Sequence, residues 1–353
     1  MKTFHCTNCD NPVYFENTFC EKCNWNIGYD VSQNEIISFN QNTKKWKTKT
    51  GEGSYRYCQN YQLEVCNWIL KEEDPETFCN ACRLNRTIPD ISDNIRVYNW
   101  FLLEQAKHRL VYQLYQLNLP VESKLTEPET GLCFDFLSTE PAFDPENKIM
   151  TGHASGVVTI TLAEADSIQR EKLRKQLNEP YRTIIGHFRH EVGHYYWERI
   201  ILPDEIQLER FRNIFGDERS SYPDALELHY EKGAPADWEE NYISSYASAH
   251  PWEDWAETWA HYLHFMDTLE TASYANIQIG VKTDKNNSSD LTKIFNPYVE
   301  KDFDVVLETC IPLYIALNSL NRSMGIKDIY PFVVNDKVIK KLKYIHTLIS
   351  SFN

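Results

Sequence analysis

One short pattern constrains the fold of this chain more than any other. Between Tyr181 and Arg199, the residues His190, Glu191 and His194 spell H-E-x-x-H. On an α-helix the two histidines stand one turn apart on one face, because side chains at positions i and i+4 lie above one another. Two imidazoles so placed can bind one zinc ion, and Glu191 can point its carboxylate at a water on that ion. The pattern therefore predicts a helix that carries two zinc ligands and a general base.

The residues around this pattern favour a helix. Apolar side chains recur near helical spacing, with Ile184, Phe188 and Val192 among them. Pro180 stands before the segment and Pro203 after it, which suits its two ends. The alternative is a chance match in a chain with 11 histidines, and the case against it depends on a suitable third ligand downstream.

A catalytic zinc site needs a third protein ligand and one position open to water. The segment 245–264 is the obvious donor, since Pro251 is well placed to open a helix with acidic residues in its first turn. Glu253 is the predicted third ligand. Glu257 lies one turn further on the same face and is predicted to accept the Nδ1–H of a zinc histidine. The rivals for the third position are His250, Asp254, Glu257 and His261. For His261 and for His264 we favour a packed or solvated helix face.

The first 90 residues hold eight of the ten cysteines. Two CxxC turns can present four thiolates to one tetrahedral ion. The first set is Cys6, Cys9, Cys20 and Cys23. The second set is Cys58, Cys66, Cys79 and Cys82. Seven residues separate Cys58 from Cys66, which is irregular for a zinc knuckle, so pairing across the sets and buried free thiols stay open as alternatives. Cys133 and Cys310 stand alone and are expected to be buried small hydrophobes.

At this point the sequence resembles a known family, the zinc-binding metallopeptidases that carry an N-terminal zinc ribbon. The resemblance spans nearly the whole chain. The motifs that carry it are the CxxC pairs, CNW at 66–68, CRLNRTIPD at 82–90, TGH at 151–153, HFRHEVGHYYW at 187–197 and HPWEDWAETWAHYLH at 250–264.

A more distant resemblance concerns the third ligand. The Y-x6-E-x3-E spacing of Tyr246, Glu253 and Glu257 is similar to that of the lethal-factor-like gluzincins. This resemblance implies that Glu253 is a zinc ligand and that Tyr246 stabilises the oxyanion. The chain departs from the thermolysin pattern, which has Asp where Glu257 stands.

These observations predict an α+β protein with two units. Residues 1–90 form a zinc-ribbon module of short strands and turns, which needs its metal to fold. Residues 91–353 form a zincin-like, mostly helical metallopeptidase domain, reached through a linker at 87–93 in which Ser92 or Asp93 caps the next helix. The further predicted helices are 94–118, 163–178, 302–323 and 335–350, and the predicted strands are 131–137 and 156–162.

Three segments near the predicted metal helix are candidates for contact with substrate. The strand GVVTITL at 156–162 is suited either to pair with an extended peptide or to be an ordinary core strand. His153 just before it is more readily structural than a substrate contact. The insert 200–250 is expected to form the cleft wall, and its aromatic and histidine residues either line a groove or pack: Tyr222, His229, Tyr230 and Tyr242. The segment 282–290 is expected to be a polar surface loop.

Charge and hydropathy limit the partners. The formal net charge is −15, which makes nucleic acid an unlikely partner. Four lysines at positions 44, 45, 47 and 49 surround Trp46, and we expect a solvated hairpin edge there rather than a nucleic-acid contact. No apolar run approaches 18 residues, so no membrane span is expected. The first residues lack a secretory signal, and a cysteine-rich chain without one is expected to bind metal in the cytoplasm.

The sequence thus predicts zinc-dependent hydrolysis of a peptide or protein substrate, with one catalytic and one or two structural zinc ions. One alternative is a non-catalytic adaptor, in which a fourth ligand such as His250 or His261 closes the site. A second alternative is a nucleic-acid-associated protease, since zinc ribbons sometimes bind DNA. No residue pattern specifies the substrate or the oligomeric state.

Overall fold

A computed structural model describes residues 1–138, 151–176, 179–282 and 289–352. The fold class is α+β, as predicted: small sheets of short strands come first, and a mostly helical domain comes after them. The N-terminal strands are β1 (Phe4–His5), β2 (Pro12–Val13), β3 (Asn26–Asp30), β4 (Glu35–Asn40), β5 (Lys45–Thr48), β6 (Gly51–Gly53), β7 (Tyr55–Tyr57), β8 (Ile69–Lys71) and β9 (Asn85–Thr87). Strands β3 to β6 form an antiparallel meander, while β1–β2 and β7–β8 are two-stranded ribbons.

The lysine-rich hairpin β5–β6 is a solvated edge. Trp46 is 4% exposed and packs inside the sheet, so its ring is not available to stack on a nucleobase. Lys45 pairs with Glu52 at 2.6 Å, and Lys49 pairs with Glu35 at 2.8 Å. Two of the four lysines therefore have acidic partners within the protein, and Lys47 bonds Asn8. This fits the solvated hairpin edge that the sequence analysis favoured.

The helical part begins at α1, whose N-cap is Asp93: its carboxylate accepts from the amide of Ile95 at 2.8 Å. The helices are α1 (Asn94–Gln116), α2 (Ser167–Gln176), α3 (Ile184–Tyr196), α4 (Glu205–Phe215), α5 (Tyr222–Lys232), α6 (Pro251–Tyr274), α7 (Phe303–Ser323) and α8 (Asp336–Ser350). The four further helices predicted at 94–118, 163–178, 302–323 and 335–350 correspond to α1, α2, α7 and α8; residues 177–178 lie outside the described residues. The later strands are β10 (Cys133–Leu137), β11 (Gly152–Ala154), β12 (Val157–Thr161), β13 (Gly280–Lys282) and β14 (Ser289–Leu291).

The expected polar loop at 282–290 begins and ends in the two-stranded hairpin β13–β14. Its residues 283–288 lie outside the described residues. Cys133 and Cys310 are both buried, as predicted, at 4% and 0% exposure.

A four-stranded sheet lies beside α3, in the order β11-β12-β10-β9. Strand β12 pairs with β11 on one side, antiparallel, and with β10 on the other, parallel. Its backbone groups are therefore occupied on both sides, and the idea that GVVTITL pairs with a substrate is wrong. Its alternative, an ordinary interior strand, is what the structure has. The edge strands of this sheet are β11 and β9.

The core runs without a break from the cysteine-rich part into the helical part. Strand β9 pairs in parallel with β10, and buried aromatic residues from both parts meet, as where Tyr29 and Trp68 contact each other and Tyr29 contacts Tyr112 of α1. The domain boundary at residue 90 stays a prediction. These contacts give the two parts one shared hydrophobic core.

Helix α7 is long and apolar enough to cross a membrane by length and composition alone. Core helices of globular proteins pass the same test. Val306, Cys310 and Leu313 of α7 are buried, and the hydroxyl of Tyr314 donates to the carbonyl of His264 on α6 at 3.2 Å. One side of α7 therefore packs into the core.

A buried ion pair joins α8 to α6. Lys341 Nζ lies 2.6 Å from Asp254 Oδ2, and the two side chains are 7% and 0% exposed. Burial raises the pKa of Asp254 to about 7, although Lys341 acts in the opposite direction. Lys341 also donates to the carbonyl of Asn241 at 2.7 Å and stands 4.5 Å from the centre of the Tyr242 ring. This pair fixes the last helix against the segment that leads into α6.

Lys341→Met is expected to lower the free energy of unfolding by about 3–5 kcal/mol, because it leaves the Asp254 carboxylate buried without a cation. Urea unfolding in zinc-containing buffer measures the change. Lys340→Met, at the exposed neighbouring position, is the matched control and should have little effect. The double variant Lys341→Met with Asp254→Asn should recover part of the loss. Equal stability of the two single variants would contradict the argument.

Candidate metal centre

The close crossing of α3 and α6 builds the site. A Cβ atom at Gly193 would lie 3.0 Å from Cα of Ala256 and 3.3 Å from its carbonyl oxygen, so only glycine permits this approach. The indole Nε1 of Trp255 donates to the carbonyl of Gly193 at 2.8 Å and joins the two helices at the same point. Gly193 is the residue before His194, and the crossing brings the H-E-x-x-H turn against the first turns of α6.

His190, His194 and Glu253 meet at this crossing. Nε2 of His190 lies 3.1 Å from Nε2 of His194 and 3.0 Å from Oε2 of Glu253. The third side of the triangle, from His194 Nε2 to Glu253 Oε2, measures 3.5 Å. All three residues predicted as ligands thus direct one donor atom each at a common point.

The chemistry of this donor set fits a zinc ion. Two N or O ligands of a tetrahedral zinc, each about 2.0–2.1 Å from it, lie about 3.3 Å apart, and the three measured separations scatter around that value. Oε2 of Glu253 is buried and accepts no hydrogen bond within the described residues. A buried carboxylate oxygen without a hydrogen-bond donor costs free energy unless a cation binds to it. The residues present therefore suit Zn²⁺.

Glu257 holds the first of these histidines in place. Its Oε1 accepts from Nδ1 of His190 at 2.7 Å, and its Oε2 accepts from the hydroxyl of Ser244 at 2.6 Å. Because Nδ1 carries the donated proton, Nε2 keeps the lone pair that a metal needs. Burial alone would lower the pKa of His190, but Glu253 and Glu257 raise it well above its ordinary value, so this pocket favours positive charge.

The rivals of Glu253 have other partners. His250 caps α6: its Nδ1 accepts from the amide of Trp252 at 3.1 Å and its Nε2 faces the carbonyl of Ser220 at 3.2 Å. Asp254 is paired with Lys341, and Nδ1 of His261 lies 2.8 Å from the hydroxyl of Tyr330. His264, next along α6, contacts Arg189 at 2.6 Å. Geometry thus groups only Glu253 with the two histidines among the described acidic and histidine residues.

Glu191 lies beside this triangle and is 8% exposed. Its carboxylate makes no hydrogen bond or ion pair within the described part of the chain, in contrast to Glu253 and Glu257. Burial raises the pKa of Glu191 to about 7, and the charges of Glu253 and Glu257 add to the effect. A carboxylate so placed exchanges a proton readily near neutral pH, which is the requirement for a general base.

Two tyrosines flank the site in different ways. Tyr246 has its ring centre 6.0 Å from that of His190 and 5.9 Å from that of His229, and its hydroxyl forms no hydrogen bond to any described residue. Tyr222, at the start of α5, donates its hydroxyl to Oε1 of Glu253. Tyr222 therefore orients the carboxylate, while the Tyr246 hydroxyl is free to donate elsewhere.

The other aromatic and histidine residues of the insert 200–250 have different surroundings. Helix α5 has no buried residue, although its Tyr222 contacts Glu253 and its His229 ring lies 5.9 Å from that of Tyr246. That this insert forms a cleft wall stays a prediction. Tyr230 is 61% exposed, and Tyr242 packs under Lys341. His153 is the middle residue of β11, and its Nε2 accepts from the amide of Gly156 in the turn that follows, at 3.0 Å. This contact fits the structural role that the sequence analysis favoured.

The eight cysteines form two separate tetrads, each made of one predicted set. Measured Sγ–Sγ separations are 3.7 Å for Cys6–Cys23, 3.6 Å for Cys9–Cys20 and 3.7 Å for Cys66–Cys79. Two thiolates bound to one tetrahedral zinc at about 2.3 Å lie about 3.8 Å apart, so both tetrads suit zinc. Pairing across the two sets is excluded by this arrangement, and four thiolates leave no open position.

Several residues at these sites escaped the sequence analysis. His108 of α1 places its Nε2 3.4 Å from Sγ of Cys66, and its Nδ1 faces the carbonyl of Glu104 at 2.6 Å. The Trp252 ring lies 3.8 Å from that of His194, and Ser244 supports Glu257. None of these residues belongs to a pattern with metal-ligand spacing. The position of Trp252 beside Glu253 was the only available signal.

A family model described as "Putative zinc-binding metallo-peptidase" matches residues 96–348, and one described as "zinc-ribbon domain" matches residues 3–93. Uncharacterized proteins of Mycobacterium tuberculosis and Mycobacterium bovis are 36% identical over 349 residues, which cover 99% of this chain and 95% of each relative. No solved structure matches the chain. The resemblance to zinc-binding metallopeptidases with an N-terminal zinc ribbon is thereby confirmed, and the more distant one to the gluzincins stays a prediction.

Gly193→Ala is expected to lower the free energy of unfolding by about 1–3 kcal/mol, because the added methyl group meets the backbone of Ala256. Helix propensity alone would raise stability by about 1 kcal/mol, so the sign of the change reports the crossing. Urea unfolding and the rate of metal release to a chelator are the measurements, and faster release is expected. Gly186→Ala, in the same helix but nearest to side-chain atoms of Thr183 and Tyr181, is the control. If both substitutions stabilise the protein alike, Gly193 does not set the crossing.

Proposed function

The chain belongs to the family described as "Putative zinc-binding metallo-peptidase", and from that premise we propose that it hydrolyses peptide bonds with a catalytic zinc held by His190, His194 and Glu253. The observation that carries this proposal is the pairing of a three-donor set with a buried, unbonded carboxylate, Glu191, on the adjacent helix position. A structural zinc site has four protein ligands, whereas a catalytic site keeps one position open.

A fourth protein ligand would close the metal site and favour an adaptor over an enzyme. His250 and His261 were the candidates to close the site, and both are engaged with other groups. Within the described residues, no further cysteine, histidine or carboxylate joins the triangle. This favours the peptidase over a non-catalytic adaptor.

In the proposed reaction, Glu191 takes a proton from the attacking water onto its carboxylate as the water oxygen bonds to the scissile carbonyl carbon. Glu191 then gives that proton to the leaving amine as the C–N bond breaks, so the carboxylate ends in its starting state. The Tyr246 hydroxyl donates to the carbonyl oxygen as negative charge develops there. When bound, zinc supplies a Lewis acid that polarises the carbonyl and lowers the pKa of the water.

The substrate in this proposal is a peptide or a protein segment. Strand β11 is the edge strand of the sheet that contacts α3, so an extended chain can add to it by backbone hydrogen bonds. The two cysteine tetrads hold structural zinc ions, and the ribbon is assigned the recruitment of substrate or partner. Nucleic acid is not part of the proposal, because the net charge is −15 and Trp46 is buried.

Glu253→Ala is expected to lower the zinc content from about three ions per chain to two, because two imidazoles alone hold the metal poorly. Glu257→Ala should keep the site but weaken zinc binding or activity by about 10- to 100-fold, as the loss of a hydrogen bond to a ligand usually does. Elemental analysis after dialysis against a weak chelator measures both. Retention of three ions by Glu253→Ala, with loss of one by Glu257→Ala, would reverse the two roles.

Glu191→Gln is expected to keep the fold and all zinc yet lose at least about 10²- to 10⁴-fold in turnover, because an amide cannot accept the proton from water. An unbiased peptide library incubated with zinc-loaded wild type and with the variant tests this directly. Tyr246→Phe should lose about 10²- to 10³-fold, the size of one oxyanion donor. Cleavage by Glu191→Gln at the wild-type rate, with matched zinc content, would refute the mechanism and return the adaptor as the better account.

A further inference from the structure

We propose that Glu198 forms a subsite that receives a positively charged group of the peptide substrate, either a lysine or arginine side chain or a free α-amine. The proposal deepens the peptidase assignment and rests on it. It concerns which peptides the cleft accepts, and it assigns a role to a residue that neither the metal centre nor the hydrophobic core explains.

Glu198 lies on the face of the metal helix that carries Glu191 and His194. Glu191 and Glu198 are seven residues apart, which is two helical turns on one face, and Glu198 stands one turn beyond His194. Beyond α3 the chain continues into a π-helical turn at Trp197–Ile201, a feature that is frequent at functional sites. The axial rise from His194 to Glu198 is about 6 Å. This is the length of about two residues of an extended peptide.

The carboxylate of Glu198 has no cationic partner in the described part of the chain. Its closest titratable neighbour is His153, whose Nε2 lies 3.7 Å from Glu198 Oε2. That nitrogen already accepts from the amide of Gly156 at 3.0 Å, so it presents a lone pair and not a proton. Burial lowers the pKa of His153 to about 3, which keeps the ring neutral.

Two cations lie near Glu198 in space or in sequence, and neither forms an ion pair with it within the described residues. The charge of Lys124 acts on Glu198 without such a pair, and its Nζ donates to the carbonyl of Pro128 at 2.7 Å. Arg199 donates to Glu122 and to the carbonyl of Thr130, both at 2.8 Å. The negative charge of Glu198 is therefore not offset by an ion pair within the described residues, while its neighbour on the same helical turn is paired.

The placement of Glu198 also works against stability. Its side chain is 33% exposed, and burial raises its pKa, although the charge of Lys124 and the backbone of Ser155 act in the opposite direction. It lies in the last turns of the metal helix, where the helix dipole disfavours an acidic residue. A position that breaks local rules without a compensating ion pair is a sign of function. A bound cation supplies the missing partner, and the net charge of −15 draws cationic peptides towards the protein.

The neighbour of Glu198 is a buried imidazole with one unpaired nitrogen. The His153 side chain is fully buried, and its Nδ1 has no hydrogen-bond partner among the described residues. Since Nε2 is the acceptor, Nδ1 carries the proton of the neutral ring. The ring is also roughly parallel to that of His194, with centres 6.3 Å apart. His153 therefore lies near both Glu198 and the metal-site residue His194.

Peptide hydroxamates test the subsite without the need for turnover. Each probe carries lysine, norleucine or glutamate two residues from the hydroxamate. Probes are made with the peptide on either side of the hydroxamate. Each is made with a free and with an acetylated amino terminus. Calorimetry with the zinc-loaded full-length protein gives their affinities, and acetohydroxamate alone reports the open metal position. Wild type is expected to bind at least one lysine compound or free-amine compound about tenfold more tightly than its neutral counterpart, the effect of one hydrogen bond to a charged group. The acetylated and side-chain arms distinguish the two sources of charge.

In Glu198→Gln this ratio should fall to about one, and in Glu198→Lys the glutamate compound should become the preferred one. The exposed Glu209 provides the control Glu209→Gln, which should keep the wild-type ratio. Glu198→Gln should also unfold at the same or a higher urea concentration than wild type; a clear loss of stability would make the residue structural and overturn the subsite. If acetohydroxamate binds but wild type does not distinguish lysine or free amine from neutral compounds, the subsite is refuted while the peptidase proposal stands. If no hydroxamate binds, both fall.

Discussion

The metal centre depends on one steric fact, the contact of two helices at a glycine. With Gly193 at the crossing, the backbone of α3 comes within van der Waals distance of Ala256, and the carbonyl of Gly193 can accept from Trp255. Any larger residue would separate the helices by part of an ångström or more. The donor triangle has sides of 3.0 to 3.5 Å, so a shift of that size decides whether one ion can be shared. The packing of the two helices and the affinity of the site for metal therefore depend on the same contact at Gly193.

The cysteine-rich part is connected to this crossing through α1. Near its middle, α1 brings His108 to the second cysteine tetrad and Lys107 into a buried pair with Glu104. One to two turns later, Gln113 accepts from Arg189 of α3 at 3.1 Å and donates to the carbonyl of Leu263 on α6 at 2.7 Å. A single helix thus contacts one cysteine site and both metal-bearing helices. Loss of a metal ion from that cysteine tetrad would therefore reach the proposed catalytic site through packing, without any ligand shared between the sites.

The sequence predicts those features that are encoded by residues close together in the chain. The helix at His190 and His194, the cysteine sets and the Asp93 cap are encoded within a few residues, and each was predictable. The choice of Glu253 over Asp254 was not encoded locally, because adjacent acids on a helix differ only in what they face across the crossing. Asp254 meets Lys341, which is 87 positions away in the sequence. The interior position of β12 likewise depends on its pairing with β10, and the hydroxyl of Tyr222 reaches Glu253 from a separate helix. These contacts are set by tertiary structure alone.

The acidic residues near the site divide into two classes by their partners. On α6, Glu253 and Asp254 are buried and Glu257 is half-buried, and each meets a histidine or a lysine that offsets its charge. On α3 and its π-helical extension, Glu191 and Glu198 have no such cation within the described residues, and burial raises the pKa of both. Unmatched, desolvated carboxylates cost stability unless a reaction or a ligand uses them. The matched helix therefore supplies the scaffold and holds the metal, while the unmatched face of the other helix is where water and a charged substrate are expected to meet the protein.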